Sequence, residues 1–146
     1  MADTSSHRSP LGQAAEEQEI VLTQMLIVAD VERSVRFYRD VLGAEVLRGN
    51  APAMLRFHNG WIVINTGGGP TPDKPEVTVQ PPQDPTRVSG FLNIRVKDID
   101  AVYRDWTARG AEFITEPLNN HGAELRCYLR DPDGYLIEVG QTLTRE

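Results

Sequence analysis

The chain has 146 residues and a formal net charge of −6 at pH 7, with 40% hydrophobic and 25% charged residues. These values are typical of a globular protein of one ordinary domain, and the acidic balance argues against a partner bound through its phosphate backbone. No apolar run approaches the ~20 residues that a membrane-spanning helix needs. We therefore expect neither a nucleic-acid nor a membrane partner.

The N-terminus and the cysteine content bear on location. Residues 1–18 are polar and aperiodic, lack the apolar core of a signal peptide, and are interpreted as a flexible tail. Cys127 is the only cysteine, so no intrachain disulfide is possible and a cytoplasmic location is expected. Because Cys127 stands between apolar strand residues, we interpret it as a small buried hydrophobe and not as a nucleophile.

A first strand–helix–three-strand module is predicted over residues 19–66. Ile20–Ala29 is a nearly continuous apolar run, which predicts a strand buried on both faces. Asp30 is placed to cap a helix and Gly43 to end it. Strands are predicted at residues 44–48, 53–57 and 61–65, with a two-residue turn at Asn59-Gly60 between the last two. The apolar stripe of the helix consists of Val31, Val35, Tyr38, Val41 and Leu42.

The same pattern returns over residues 88–142, after a connector at residues 67–87 that is rich in proline and glycine. Within the connector, Val77–Val79 is a candidate for a brief edge strand. Phe91–Val96 is a predicted strand, Asp98 a predicted helix cap and Gly110 a predicted helix end. Strands are predicted at residues 111–115, 124–129 and 135–139, with a strong turn signal at residues 131–134.

A repeat of this kind predicts an α+β fold of two tandem βαβββ modules that share one core. The stretches VADVERSVRFYRDVLGAEV (28–46) and DPDGYLIEVGQ (131–141), with the repeat between them, resemble the vicinal oxygen chelate superfamily. That group includes glyoxalase I, bleomycin-resistance proteins and extradiol dioxygenases. The resemblance covers residues 20–142 and implies a curved mixed sheet that forms a cup, together with a homodimeric assembly.

The resemblance also implies where metal ligands would stand. The first-strand ligand, usually His or Gln, lies seven residues before the capping aspartate, at Thr23 and Phe91. The last-strand ligand, usually Glu, lies four residues after the hairpin glycine, at Ile64 and Glu138. Only Glu138 is a good ligand, whereas catalytic zinc typically has three protein ligands. We therefore expect no stoichiometric metal ion.

Two histidines leave an alternative open. His58 ends the third strand of the first module and His121 lies in a loop of the second. A divalent metal held by Glu138 with His58 or His121 is that alternative, and His58 is also a candidate general base.

Strand alternation sorts the side chains that face the cup. The apolar candidates are Met25, Ile27, Ile64 and Phe91. The polar candidates are Arg56, His58, Asn93, Arg95, Arg126, Tyr128 and Glu138. An apolar pocket with a few convergent polar groups is typical of a small-molecule site.

These residues have structural interpretations as well. Arg95 is expected to pair with Glu138, either as a structural ion pair or within a ligand site. Arg56 and Arg126 are open to an outer-face interpretation, and Tyr128 to simple packing. Glu138 itself is open to a solvent-facing position on an edge strand. Both tryptophans, Trp61 and Trp106, are assigned to packing.

The resulting functional hypothesis is a superfamily member that binds a small molecule in the cup, similar to the resistance branch. The alternative is an enzyme of glyoxalase, dioxygenase or isomerase type that uses Glu138 as a base or as a metal ligand. A scaffold role with a vestigial cup is the third possibility.

Overall fold

A computed structural model of the protein describes residues 9–143. In this range the helices are α1 (Pro10–Gln18), α2 (Val31–Asp40) and α3 (Ile99–Ala108). The strands are β1 (Thr23–Ile27), β2 (Glu45–Arg48), β3 (Ala53–Phe57), β4 (Gly60–Asn65), β5 (Leu92–Arg95), β6 (Leu118–Asn120), β7 (Glu124–Arg130) and β8 (Leu136–Thr142). None of the helices in this range is long and apolar enough to cross a membrane.

The two modules have the same sheet topology. The first sheet has the order β1-β4-β3-β2 and the second has the order β5-β8-β7-β6. In each sheet the first strand pairs in parallel with the last strand of its module, and the other pairings are antiparallel. The predicted α+β fold of two tandem βαβββ modules is confirmed.

The ends of both module helices follow the predicted chemistry. The Asp30 carboxylate accepts a hydrogen bond from the Arg33 amide at 3.2 Å, and the Asp98 carboxylate accepts one from the Ala101 amide at 3.1 Å. Gly43 and Gly110 follow the two helices with φ angles of 85° and 110°, which glycine adopts without steric cost.

One hydrophobic core joins the two modules. It contains the helix-facing side chains of both sheets, with Tyr38, Leu55, Leu129 and Ile137 fully buried. Cys127 is a member of this core as predicted. Its burial raises the pKa of the thiol to about 11, so the thiolate form is scarce at neutral pH.

Several local predictions are wrong. Strand β1 is not buried on both faces, because the Met25 side chain on the face away from the core is 48% exposed. Residues 111–115 form no strand; Phe113 makes a single bridge to Leu129. The edge strand β6 begins only at Leu118, after Pro117, which has no amide hydrogen to offer a ladder.

Two further predictions are corrected at turns and at the N-terminus. Phe57 pairs with Gly60, so the turn residues are His58 and Asn59, and His58 takes the left-handed conformation with φ 51°. The predicted tail contains helix α1, capped by the Ser9 hydroxyl, which accepts from the Gly12 amide at 2.9 Å. Residues 1–8 of that tail lie outside the described residues. Within the connector, Val79 makes only an isolated bridge to Gly68.

The turn before β8 fastens the second module to the first. The buried Asp131 carboxylate accepts a hydrogen bond from the Tyr38 hydroxyl of α2 at 2.8 Å. Its other oxygen accepts from the amides of Asp133 and Tyr135, both at 2.9 Å. Burial raises the pKa of Asp131, although these hydrogen bonds act in the opposite direction. The pKa of Tyr38 is held well above its usual value, first by burial and then by Asp131, so Tyr38 remains a donor.

Neighbouring contacts extend this junction to the start of α2. The Asp133 carboxylate accepts from the Ala29 amide at 2.9 Å and from the Ser34 hydroxyl at 3.2 Å. The Tyr135 hydroxyl donates to the Ile27 carbonyl at 2.9 Å. Since these partners extend from the end of β1 into α2, the turn fixes the relative placement of the two modules.

Removing the Tyr38 hydroxyl tests this junction. In Tyr38→Phe, one Asp131 oxygen stays buried but loses its donor, so the free energy of unfolding should fall by ~1–3 kcal/mol. Urea denaturation followed by circular dichroism measures the change. The matched control is Tyr103→Phe, because the Tyr103 hydroxyl makes no hydrogen bond within residues 9–143. Equal stabilities of the two variants would contradict the importance of the junction.

Candidate functional site

The candidate site lies on the face of the second sheet that points away from the core. Asn93 of β5 and Tyr128 of β7 both pair with Glu138 of β8. Arg95 and Arg126 both pair with Gly140, one step of alternation further along β8. Alternation therefore places these side chains together on one face, which we call the open face.

Glu138 is the centre of the open face. Its side chain is only 10% exposed, so its carboxylate needs partners. One oxygen accepts from the Asn93 amide nitrogen at 2.5 Å and the other accepts from the Tyr128 hydroxyl at 2.5 Å. The hydrogen bond to Glu138 is the main cause of the raised pKa of Tyr128, which keeps this phenol protonated as a donor.

The predicted pairing of Arg95 with Glu138 is present, but it is the longest of three polar contacts of the Arg95 guanidinium. The Arg95 guanidinium stands 3.9 Å from a Glu138 oxygen but only 3.0 Å from Glu124 and 2.9 Å from the Thr142 hydroxyl. Arg126 approaches the same Glu124 at 3.4 Å. Glu124 therefore bridges the two arginines, and Glu138 is held mainly by neutral donors.

Glu124 is a site residue that the sequence analysis missed. Alternation assigns it to the correct face, but its partner Arg95 lies two strands away, across β8. The crossing point is Gly140, where an added Cβ would collide with the Arg95 guanidinium. Gly140, directly after the strand predicted at residues 135–139, was the one signal that a side chain from elsewhere passes close to the backbone.

Aromatic rings border the carboxylate. The Phe91 ring meets the Tyr128 ring edge-on with centroids 6.1 Å apart, and Phe91 is 45% exposed. On the other side the Arg126 guanidinium lies 5.7 Å from the centre of the Tyr128 ring. The open face thus combines an apolar surface with a cation and a buried carboxylate.

Arg56 and His58 lie apart from this cluster, on the first module. The Arg56 guanidinium stacks over the Trp61 ring at 5.1 Å and donates to the His58 carbonyl at 3.1 Å. Within residues 9–143, no hydrogen bond or ion pair joins either residue to Glu138. His121 is exposed in the turn between β6 and β7 and is not joined to Glu138 in this range either.

The predicted position of Ile64 in the cup is wrong. Ile64 is fully buried in the core. The register pairs Met25 with Val63 in the first module and Asn93 with Glu138 in the second, so Val63 is the structural equivalent of Glu138. The turn before β8 is longer than the turn before β4, which shifts any position counted from the hairpin glycine.

A cavity of about 970 Å³ opens beside the open face, between the two modules. Its walls are the start of β1, the β3–β4 turn, β5 and α3. His58, Asn93 and Arg95 line it, whereas Glu138 does not. The cavity is therefore where the structure brings predicted residues of the two modules together.

This chain is similar to known proteins. A family model described as the Glyoxalase/Bleomycin resistance protein/Dioxygenase superfamily matches residues 20–139. The chain belongs to this superfamily. The resemblance inferred from the two motifs and the repeat is confirmed.

The sequence identity of this chain to individual superfamily members is low. A lactoylglutathione lyase from Haemophilus influenzae is 30% identical over 123 residues, covering 81% of this chain and 89% of that protein. Metallothiol transferase FosB from Shouchella clausii is 27% identical, covering 77% and 73%. A superfamily member from Nocardioides has a TM-score of 0.68 at 18% identity, covering 92% and 94%, which supports the fold alone.

The donors on the open face do not fit a divalent metal ion. Thr23 and Phe91 occupy the first-strand positions at which the resemblance places ligands, and Val63 is the register equivalent of Glu138. Among the described residues, no group of three or more His, Cys, Asp or Glu side chains could hold an ion. Both Glu138 oxygens already accept from neutral donors. A catalytic zinc site typically takes three protein ligands, whereas this face offers two carboxylates, and Glu124 is already engaged by Arg95 and Arg126.

Two double-mutant cycles compare the energetic coupling of Glu138 to Tyr128 with its coupling to Arg95. Glu138→Gln combined with Tyr128→Phe should show a coupling of ~1 kcal/mol or more, because a short hydrogen bond to a charged group is lost in each single variant. Glu138→Gln combined with Arg95→Met should be additive within ~0.5 kcal/mol, since the 3.9 Å pair is partly exposed. Urea denaturation of the five variants supplies both values, and the reverse order of couplings would contradict this arrangement.

Proposed function

We propose that this protein binds a small organic molecule on the open face, without a stoichiometric metal ion. The observation that carries the proposal is the buried Glu138 carboxylate, held by Asn93 and by Tyr128, whose ring meets the half-exposed Phe91 ring. Burying a carboxylate opposes folding unless its hydrogen bonds are made. A satisfied polar cluster at an apolar, solvent-open surface is typical of ligand sites, where few polar groups set orientation.

The charges of the open face favour a ligand that carries both polar and apolar parts. Glu124 neutralises part of the positive charge of Arg95 and Arg126. Arg126 and Phe91 flank the Tyr128 ring, and flat ligands stack on such surfaces. The ligand is therefore inferred to be planar or partly aromatic, with a hydrogen-bonding group directed to Tyr128 or Asn93.

The alternative is an enzyme of glyoxalase, dioxygenase or isomerase type that uses Glu138 as a base or metal ligand. Similarity to lactoylglutathione lyases and to metallothiol transferase FosB supports it. One local observation also favours it: a carboxylate and a protonated phenol stand 2.5 Å apart, and such a pair can accept and donate protons in one reaction.

A thermal-shift screen of small aromatic molecules tests the proposed function. A ligand should raise the melting temperature of the wild type equally with and without EDTA, and Tyr128→Phe should remove most of that increase. Arg104→Gln, a change of an exposed side chain on α3, should keep the increase. Loss of the effect with EDTA, together with about one equivalent of bound metal that Glu138→Ala abolishes, would favour the enzyme alternative.

We also propose a homodimer and a cytoplasmic location. Strands β1 and β5 are unpaired sheet edges, and Ile20 and Leu22 next to β1 are strongly exposed. Edges and apolar side chains of this kind are commonly covered by a partner. The single buried cysteine suits a reducing compartment.

Light scattering tests the assembly. At tens of micromolar, the particle mass should be about twice the 16.3 kDa of the chain, because pairing covers the apolar edge. Leu22→Glu should shift the mass toward the monomer, whereas the exposed control Arg104→Glu should not. A wild-type mass near that of one chain would contradict the dimer.

A further inference from the structure

The cavity between the modules differs from the open face in its chemistry. Its volume of about 970 Å³ lies within the range of ~300–1,000 Å³ usual for small-molecule sites. Residues from both modules line it, from Leu22 and Phe57 on one side to Val102 and Trp106 on the other. It therefore exists only because the modules are held in their observed arrangement. We call this cavity the intermodule cleft.

The floor of the intermodule cleft is made of side chains that belong to the core. In the repeat, Ile94 and Val96 of the second module are equivalent to Leu26 and Val28 of the first. Leu26 and Val28 are 2% and 1% exposed, whereas Ile94 and Val96 pack against the core but are only partly buried. The apolar surface left open on the β5 side favours an apolar ligand body, whose burial releases water from both surfaces.

The charged side chains that line the cleft are all basic. The chain has 21 acidic and 15 basic residues, yet none of the described residues that line the cleft is Asp or Glu. Arg95, Lys97 and Arg109 do line it. Arg95 is paired with Glu124 outside the cleft, whereas Lys97 and Arg109 make no ion pair within residues 9–143. The fixed positive charge of the lining therefore attracts anions and repels cations.

Lys97 is the cation best able to receive a ligand. Within residues 9–143, the Lys97 ammonium group takes part in no hydrogen bond or ion pair. By contrast, Arg95 is bound to Glu124 at 3.0 Å and Arg109 donates to the Val41 carbonyl at 3.4 Å. An ammonium group has three donors, and those of Lys97 remain available.

We propose that the intermodule cleft binds an organic anion, with its apolar body on the β5–α3 wall and its acidic group at Lys97. Carboxylates, sulfonates and phosphate esters with an apolar body of drug size share this chemistry. The site goes beyond the proposed function, because Glu138, Tyr128 and Phe91 do not line it. The two sites adjoin at Asn93 and Arg95.

Intrinsic fluorescence offers a direct test, because Trp61 and Trp106 are the only two tryptophans and both line the cleft. The probe is 8-anilinonaphthalene-1-sulfonate, and the uncharged comparison is N-phenyl-1-naphthylamine. The sulfonate should quench tryptophan emission at one site per chain and bind more tightly than the uncharged compound. Lys97→Gln should weaken the sulfonate about tenfold, a ratio that corresponds to ~1.4 kcal/mol, and should leave the uncharged compound unchanged.

Two controls make the result decisive. Arg104→Gln removes the same charge from an exposed position on α3 that does not line the cleft, and it should leave the sulfonate affinity as in the wild type. Val102→Phe should fill part of the cleft and weaken both compounds without lowering the melting temperature by more than a few degrees. These results, together with the expected effect of Lys97→Gln, would support the proposal.

Other outcomes would overturn the proposal. Equal effects of Lys97→Gln and Arg104→Gln would mean that the sulfonate responds only to net charge. Equal affinity of the wild type for both compounds would remove the role of the cationic lining. Sulfonate binding that weakens as the dimer forms would mean that a second copy covers the cleft. The open-face test depends on Tyr128→Phe and this one on Lys97→Gln, so either can fail alone.

Discussion

The arrangement of the molecule depends on one buried carboxylate. Asp131 lies at the turn before β8 and accepts from the Tyr38 hydroxyl and from two backbone amides. An unsatisfied carboxylate at that depth would cost several kcal/mol, so a buried placement of the turn that lacked the Tyr38 donor of α2 would be disfavoured. The contact therefore selects one placement of the second module. That placement creates the common core, the open face and the intermodule cleft together.

The two modules share a backbone plan but differ in the chemistry of their outward faces. The strand registers relate Met25 to Asn93, Val63 to Glu138 and Met54 to Tyr128. These three residues are apolar in the first module, whereas the equivalent residues of the second module form a hydrogen-bonded polar cluster. The fold does not require such a cluster, because the first module has the same topology without one. The polar cluster present in only one of these two modules is the physical reason to assign function to the second sheet.

The sequence allowed the fold and most of the open face to be predicted, because both depend on local signals. Helix caps such as Asp30, helix ends such as Gly43 and strand alternation act within a few residues, and the repeat supplied the order of elements. The errors came from properties that are not local. Ile64 was misplaced because turn length sets register, and the closer partner of Arg95 was missed because Glu124 lies across an intervening strand. Helix α1 was missed because its short polar sequence lacks a clear apolar stripe.

Arg95 connects the open face with the intermodule cleft. Its guanidinium binds Glu124, stands 3.9 Å from Glu138 and also lines the cleft. Because Glu124 holds this guanidinium, its positive charge lies close both to the Glu138 carboxylate and to the cleft. Gly140 allows this placement, since the guanidinium crosses β8 where no side chain blocks it. Two sites coupled in this way must influence each other reciprocally. The factor by which the first ligand changes the affinity of the second equals the factor by which the second changes the affinity of the first. The close passage over Gly140 thus gives a small domain a physical route by which occupation of one surface can alter binding at its neighbour.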